Sequence, residues 1–100
     1  MLASLEVADT RAARRRGLLG RDSFEGALLI EPARSVHSVG MRFPIDVAWL
    51  DADLVVLRTV HLPRHRMTRP VRRARSIVEA EAGAFARWGL AVGDQLERQA

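Results

Sequence analysis

His37 and Asp46 are the residues whose types best suit chemistry, standing on either side of Gly40. A histidine hydrogen-bonded to a carboxylate acts as a base, an acid or a ligand anchor. The two are therefore the candidate catalytic pair. The competing reading is architectural and is preferred. In it Asp46 accepts backbone N–H groups at a turn, and His37 fills half-buried space.

Glu79 and Glu81 stand two apart on an expected strand and so share a face. Paired carboxylates can move protons or hold a metal. With so many arginines nearby, a salt-bridged rim is the expectation. Glu79, in mid-strand, is the better candidate for a specific partner, which Arg21 or Arg42 would supply. His61 and His65 have the spacing of a helical metal pair, but Pro63 lies between them and a strand precedes them. No metal site and no cofactor are expected. Ser38 lacks the GxSxG surroundings of a hydrolase nucleophile, and neither a P-loop nor GxGxxG is present.

All 16 basic residues are arginine, against 12 acidic residues. Arg11, Arg14 and Arg15 can share a helical face, and Arg64, Arg66, Arg69, Arg72, Arg73 and Arg75 crowd one loop. Such clusters attract phosphate or an acidic surface. The total lack of lysine looks like a coding bias, and no aromatic residue interleaves with the arginines. Nucleic acid is accordingly a possible partner but not the favoured one.

The elements that must position these residues read as mainly β. The expected fold is a small β-barrel or sandwich-like domain over residues 1–100, with one or two short helices. Apolar residues make up 48% of the chain, enough for one core. A first strand is expected within residues 2–7, a helix over 10–16 ended by Gly17, and a buried strand in GALLIE before Pro32. Ile45, Val47 and Trp49 alternate with Asp46, Ala48 and Leu50. Residues 45–62 thus form the strongest hairpin, with an aspartate expected at any left-handed position of its Asp51-Ala52-Asp53 turn. A brief strand is expected near 36–39, and a polar loop over 63–75. A strand over 76–81 and a short helix over 82–89 complete the reading.

Cysteine is absent, which removes thiol chemistry and disulfides and fits a reducing compartment. MLASLEVADT lacks a long apolar run and a basic leader, and no stretch approaches the length of a membrane helix. The expected location is cytoplasmic, with no membrane partner.

Four stretches in order resemble the prokaryotic family called domain of unknown function 192. They are RRRGLLGR (14–21), HSVGMRFPIDVAWLD (37–51), IVEAEAG (77–83) and WGLAVGD (88–94). Many relatives carry tryptophan-methionine-lysine-asparagine followed by Pro-Leu-Asp. Here Pro44, Ile45 and Asp46 match the latter part, His37 replaces the aromatic residue, and Gly40-Met41 replaces asparagine-threonine. The resemblance implies a compact β-barrel or sandwich-like fold with short helices, and no established activity.

Three functions compete. The leading one is a binding or accessory module whose shallow site, near His37, Met41, Arg42, Asp46 and Glu79 with Arg21, takes a small molecule or a peptide end. The second is a small enzyme using His37 and Asp46. The third is arginine-mediated nucleic-acid binding.

Overall fold

The computed structural model describes residues 5–8, 10, 17–18, 20–21 and 26–97. The strands are β1 (Leu5–Ala8), β2 (Ala27–Ile30), β3 (Ile45–Leu50), β4 (Val56–Leu62) and β5 (Ser76–Glu81), and the helix α1 is Ala84–Trp88. The helix expected over 10–16, and the Arg11, Arg14 and Arg15 face on it, lie outside the described residues.

The strands form one sheet in the order β1-β2-β5-β3-β4. β1 runs parallel to β2, while every other pairing is antiparallel. With β1 and β4 at its edges, this sheet is open. Of the two expected forms, the sandwich-like one fits and the closed barrel does not.

Strand alternation divides the core in two. Leu28, Ile30, Ile45, Val47, Trp49 and Ile77 pack on one face with Leu18, Met41, Phe43 and Ala74. Leu29, Ala48, Leu50, Val56, Val78 and Ala80 pack on the other with Ala84 and Phe85 of α1. Every residue of β3 is buried because both of its faces are covered and β4 and β5 flank it. Burying a large aliphatic side chain contributes about 1.5–3 kcal/mol, so the central strands β3 and β5 anchor the fold.

Among the described residues, the layer over the first face contains no helix. It is built from residues 33–44 and 63–75, which run alongside each other. Thr68 N–H donates to Val36 O at 2.9 Å, Val71 N–H to Arg34 O at 2.9 Å, and Ser38 N–H to Arg66 O at 2.7 Å. In place of the strand expected near 36–39 there is a single bridge, His37 with Met67. Trp49, fully buried in β3, donates its indole N–H to Arg34 O at 2.7 Å and so ties this layer to the sheet.

The β3–β4 turn corrects one expectation. Leu54, not an aspartate, takes the left-handed conformation, at φ 63°. Asp51 instead accepts the N–H groups of Asp53 and Val55 on Oδ1, at 2.8 and 3.0 Å. Leu54 packs against the α1-side core, which offsets the cost of its backbone. After α1, Gly89 ends the helix at φ 67°, and Leu90 N–H returns to Phe85 O at 2.9 Å.

Candidate functional site

Asp46 lies on the α1 face of β3 and is nearly buried. Its Oδ2 accepts the N–H groups of Gly83 at 2.9 Å and Phe85 at 3.1 Å. Gly83 has φ 92° and offers no side-chain cap of its own, so a carboxylate from the neighbouring strand caps the helix. A five-residue helix cannot hold itself together, and this cap with the Phe85 and Trp88 packing supplies what it lacks.

The histidine at Asp46 is His61, with Nδ1 3.5 Å from Oδ1 and a side chain 59% exposed. Register explains this, since Asp46 is the cross-strand partner of His61 in the β3–β4 pair. His37 belongs to the layer on the opposite face, next to Val36 and Met41, so the expected His37–Asp46 pair is replaced by His61–Asp46. At 3.5 Å the contact is electrostatic rather than a hydrogen bond.

Glu79 faces the other way. It sits between Leu28 and Val47 in register and is only 2% exposed. Burial pushes its carboxyl up to about 7, and a hydrogen bond from the Leu18 backbone draws it partly back. The turn at Gly17 is laid directly on this carboxyl. A Cβ at Gly17, where φ is 50°, would stand 2.9 Å from Glu79 Oε1. Glu79 is therefore no part of a salt-bridged rim. Arg21, one of its expected partners, pairs with Glu6 at 2.7 Å. Asp46 and Glu79, expected to line one pocket, lie on opposite faces of the sheet.

Ser38, weighed in the sequence only as a nucleophile, has a structural role that its sequence context did not indicate. It is fully buried. Its hydroxyl donates to Pro63 O at 2.5 Å and accepts Arg66 N–H at 2.9 Å, while its carbonyl accepts the N–H groups of Met41 and His65, each at 3.0 Å. It joins the two halves of the layer. Around it, Gly40 N–H donates to His65 Nδ1 at 3.2 Å, and Arg64 Nε donates to Met41 O at 2.9 Å. Arg34 Nε reaches Ala74 O at 3.3 Å. Arg34 and Arg64 thus have guanidinium groups oriented by the backbone. The sequence signal for Ser38 is slight: a small polar residue between His37 and Val39, both exposed.

The charge of this layer is one-sided. Residues 33–44 and 63–75 hold eight of the 16 arginines, with His37 and His65, and none of the 12 acidic residues. Among the described residues, no carboxylate pairs with Arg64, Arg66, Arg69, Arg72, Arg73 or Arg75. No group of acidic and histidine side chains among the described residues could hold a metal. No helix among them is long and apolar enough to cross a membrane.

An open five-stranded sheet, with a short helix on one face and a clasped loop layer on the other, defines a small mainly β class of protein. Two solved structures share it. One is a protein of unknown function from Novosphingobium aromaticivorans DSM 12444, 21% identical, covering 94% of this chain and 74% of its own, with a TM-score of 0.82. The other, from Sinorhizobium meliloti 1021 and provisionally named a transcription regulator, is 20% identical, covers 93% of this chain and 79% of its own, and also has a TM-score of 0.82. At these identities the likeness shows the fold alone. The DUF192 family (Uncharacterized ACR) matches residues 2–98, and the chain belongs to that family. No curated protein matches the sequence.

Proposed function

We propose that the protein is a binding module for an anionic partner, and that its working surface is the layer built from residues 33–44 and 63–75. The observation that carries this reading is the group Arg64, Arg66, Arg69, Arg72, Arg73 and Arg75, which among the described residues has no paired carboxylate, on a backbone clasped by Ser38. Arginine forks bind carboxylates and phosphates bidentately. Holding them on a pinned backbone reduces the ordering cost of binding. Of the residues singled out in the sequence, His37 and Arg42 belong to this surface, and buried Met41 accepts Arg64 Nε on its backbone carbonyl. Asp46, Glu79 and Arg21 serve the framework. The absence of cysteine supports a cytoplasmic setting.

The test is titration with polyglutamate, followed by the backbone amide signals of the protein at low salt. Shifts are expected at residues 36–42 and 64–69, and replacing Arg64, Arg66 and Arg69 together by Ser should abolish them. If no shift occurs even at the lowest salt, where electrostatic binding is strongest, the reading is wrong.

A further inference from the structure

We infer that the anionic partner is a protein segment in which acidic residues flank an apolar side chain, and that this side chain seats on Met67 and Val39 beside His37. The inference rests on the reading of the loop layer as an anion-binding surface and adds the class of partner.

Backbone geometry makes the seat. The bonds Thr68 N–H to Val36 O and Ser38 N–H to Arg66 O bracket His37 and Met67, which exchange no backbone bond with each other. Such a non-hydrogen-bonded antiparallel pair brings its two side chains especially close. Val39 follows buried Ser38 in the turn that Met41 N–H closes onto Ser38 O, and its side chain is exposed. Met67 is 77% exposed and Val39 51%, and only two other large apolar side chains among the described residues, Val7 and Val92, are exposed. Two apolar side chains held outward on a clasped backbone are poorly placed for stability and well placed for contact. Methionine adapts its shape to whatever apolar group meets it.

Charge sets what surrounds the apolar group. Arg64, Arg66 and Arg69 are exposed and flank Met67 in sequence, so a segment laid over Met67 meets guanidinium groups on either side. Carboxylates in the partner satisfy them, and a leucine-sized group between those carboxylates covers Met67 and Val39. Nucleic acid fits less well. Among the described residues, Phe43 and Trp49, the Phe and Trp rings nearest the layer, are buried, which leaves only the imidazoles of His37 and His65 to stack on a base. Met67 would also stand against phosphates with nothing apolar to cover it.

The experiment compares three labelled probes of equal net charge at low salt: an acidic peptide containing leucines, the same peptide with serine at those positions, and a single-stranded oligonucleotide. Anisotropy should show the leucine peptide binding about tenfold tighter than the serine peptide, as burial of one large apolar side chain implies. The oligonucleotide should bind more weakly than the leucine peptide. Met67→Ser and Val39→Ser, both at exposed positions, should each shrink the difference between the peptides. Equal affinity for the two peptides would overturn the inference but leave the anion-binding reading standing. So would an oligonucleotide that binds tighter than the leucine peptide, or a peptide difference that survives both substitutions. Absence of binding by all three probes would overturn both.

Discussion

Glu79 combines burial, a backbone partner and a glycine pressed against it in one side chain. Its raised pKa is a statement about stability, and the sign follows from proton counts. Below 4.5 both folded and unfolded chains hold the proton, so the group contributes nothing. Between 4.5 and about 7 the unfolded chain releases it while the folded chain keeps it, so stability falls as pH rises. Above about 7 both forms are ionised and the full cost of the buried charge is present. A rise of this size corresponds to about 3 kcal/mol. Glu79→Gln keeps a carbonyl oxygen to accept the Leu18 N–H and carries no charge. Its urea-unfolding free energy should therefore lack this fall and exceed that of the parent at pH 8.5 by a few kcal/mol. Equal stability of the two proteins at pH 8.5 would show that ionised Glu79 is well solvated or paired.

At the scale of elements, α1 depends on a residue that is not its own. Removing the carboxylate in Asp46→Ala leaves the N–H groups of Gly83 and Phe85 without their acceptor, at a cost of about 2–3 kcal/mol. Hydrogen exchange should quicken at Gly83 through Arg87, and Asp46→Asn, which keeps one oxygen, should restore most of the protection. Unchanged exchange in the alanine variant would mean that packing of Phe85 alone holds the helix. Much of this element structure was legible beforehand. The β3 alternation, the run Ser76–Glu81 and the glycine that ends α1 are local patterns, and the structure keeps them. Asp46 does accept backbone N–H groups, but at the start of α1 rather than at the Gly40 turn expected for it, and His37 is exposed rather than half-buried. The His61 contact was within reach, because a hairpin that pairs Ile45 with Leu62 necessarily sets Asp46 opposite His61. The loop layer was not legible. Its ladder joins backbone groups of non-periodic segments, and its central clasp, Ser38, is one hydroxyl whose acceptors and donor lie about 25 residues away. Glu79 was misjudged for a related reason: its described partner is the Leu18 backbone N–H, which residue types do not reveal.

For the whole molecule, the separation of charge matters more than the net value of +4. Eight arginines and no carboxylate occupy the layer on one face of the sheet, while Asp51, Asp53 and Asp94 lie at the hairpin turn and the segment paired beside it. Like charges gathered on one surface repel one another, so this layer lowers the stability of the free protein. Salt screens exposed charges over about 10 Å at 0.1 M and less at higher concentration. Melting temperature should therefore rise with sodium chloride from 20 to 500 mM, by a few degrees if the repulsion is worth about 0.5–1 kcal/mol. Replacing Arg72 and Arg73 by Gln, both exposed, should raise the melting temperature at 20 mM and flatten the salt dependence. A melting temperature that falls with salt would mean attractive pairs dominate the layer, which would also weaken the case for a surface awaiting an anion. The expected rise has a functional consequence. An anionic partner relieves the same repulsion that salt relieves, so polyglutamate should raise the melting temperature most at 20 mM and progressively less as salt is added. Thermal unfolding by circular dichroism, run with and without polyglutamate at both ends of the salt range, measures the two effects together.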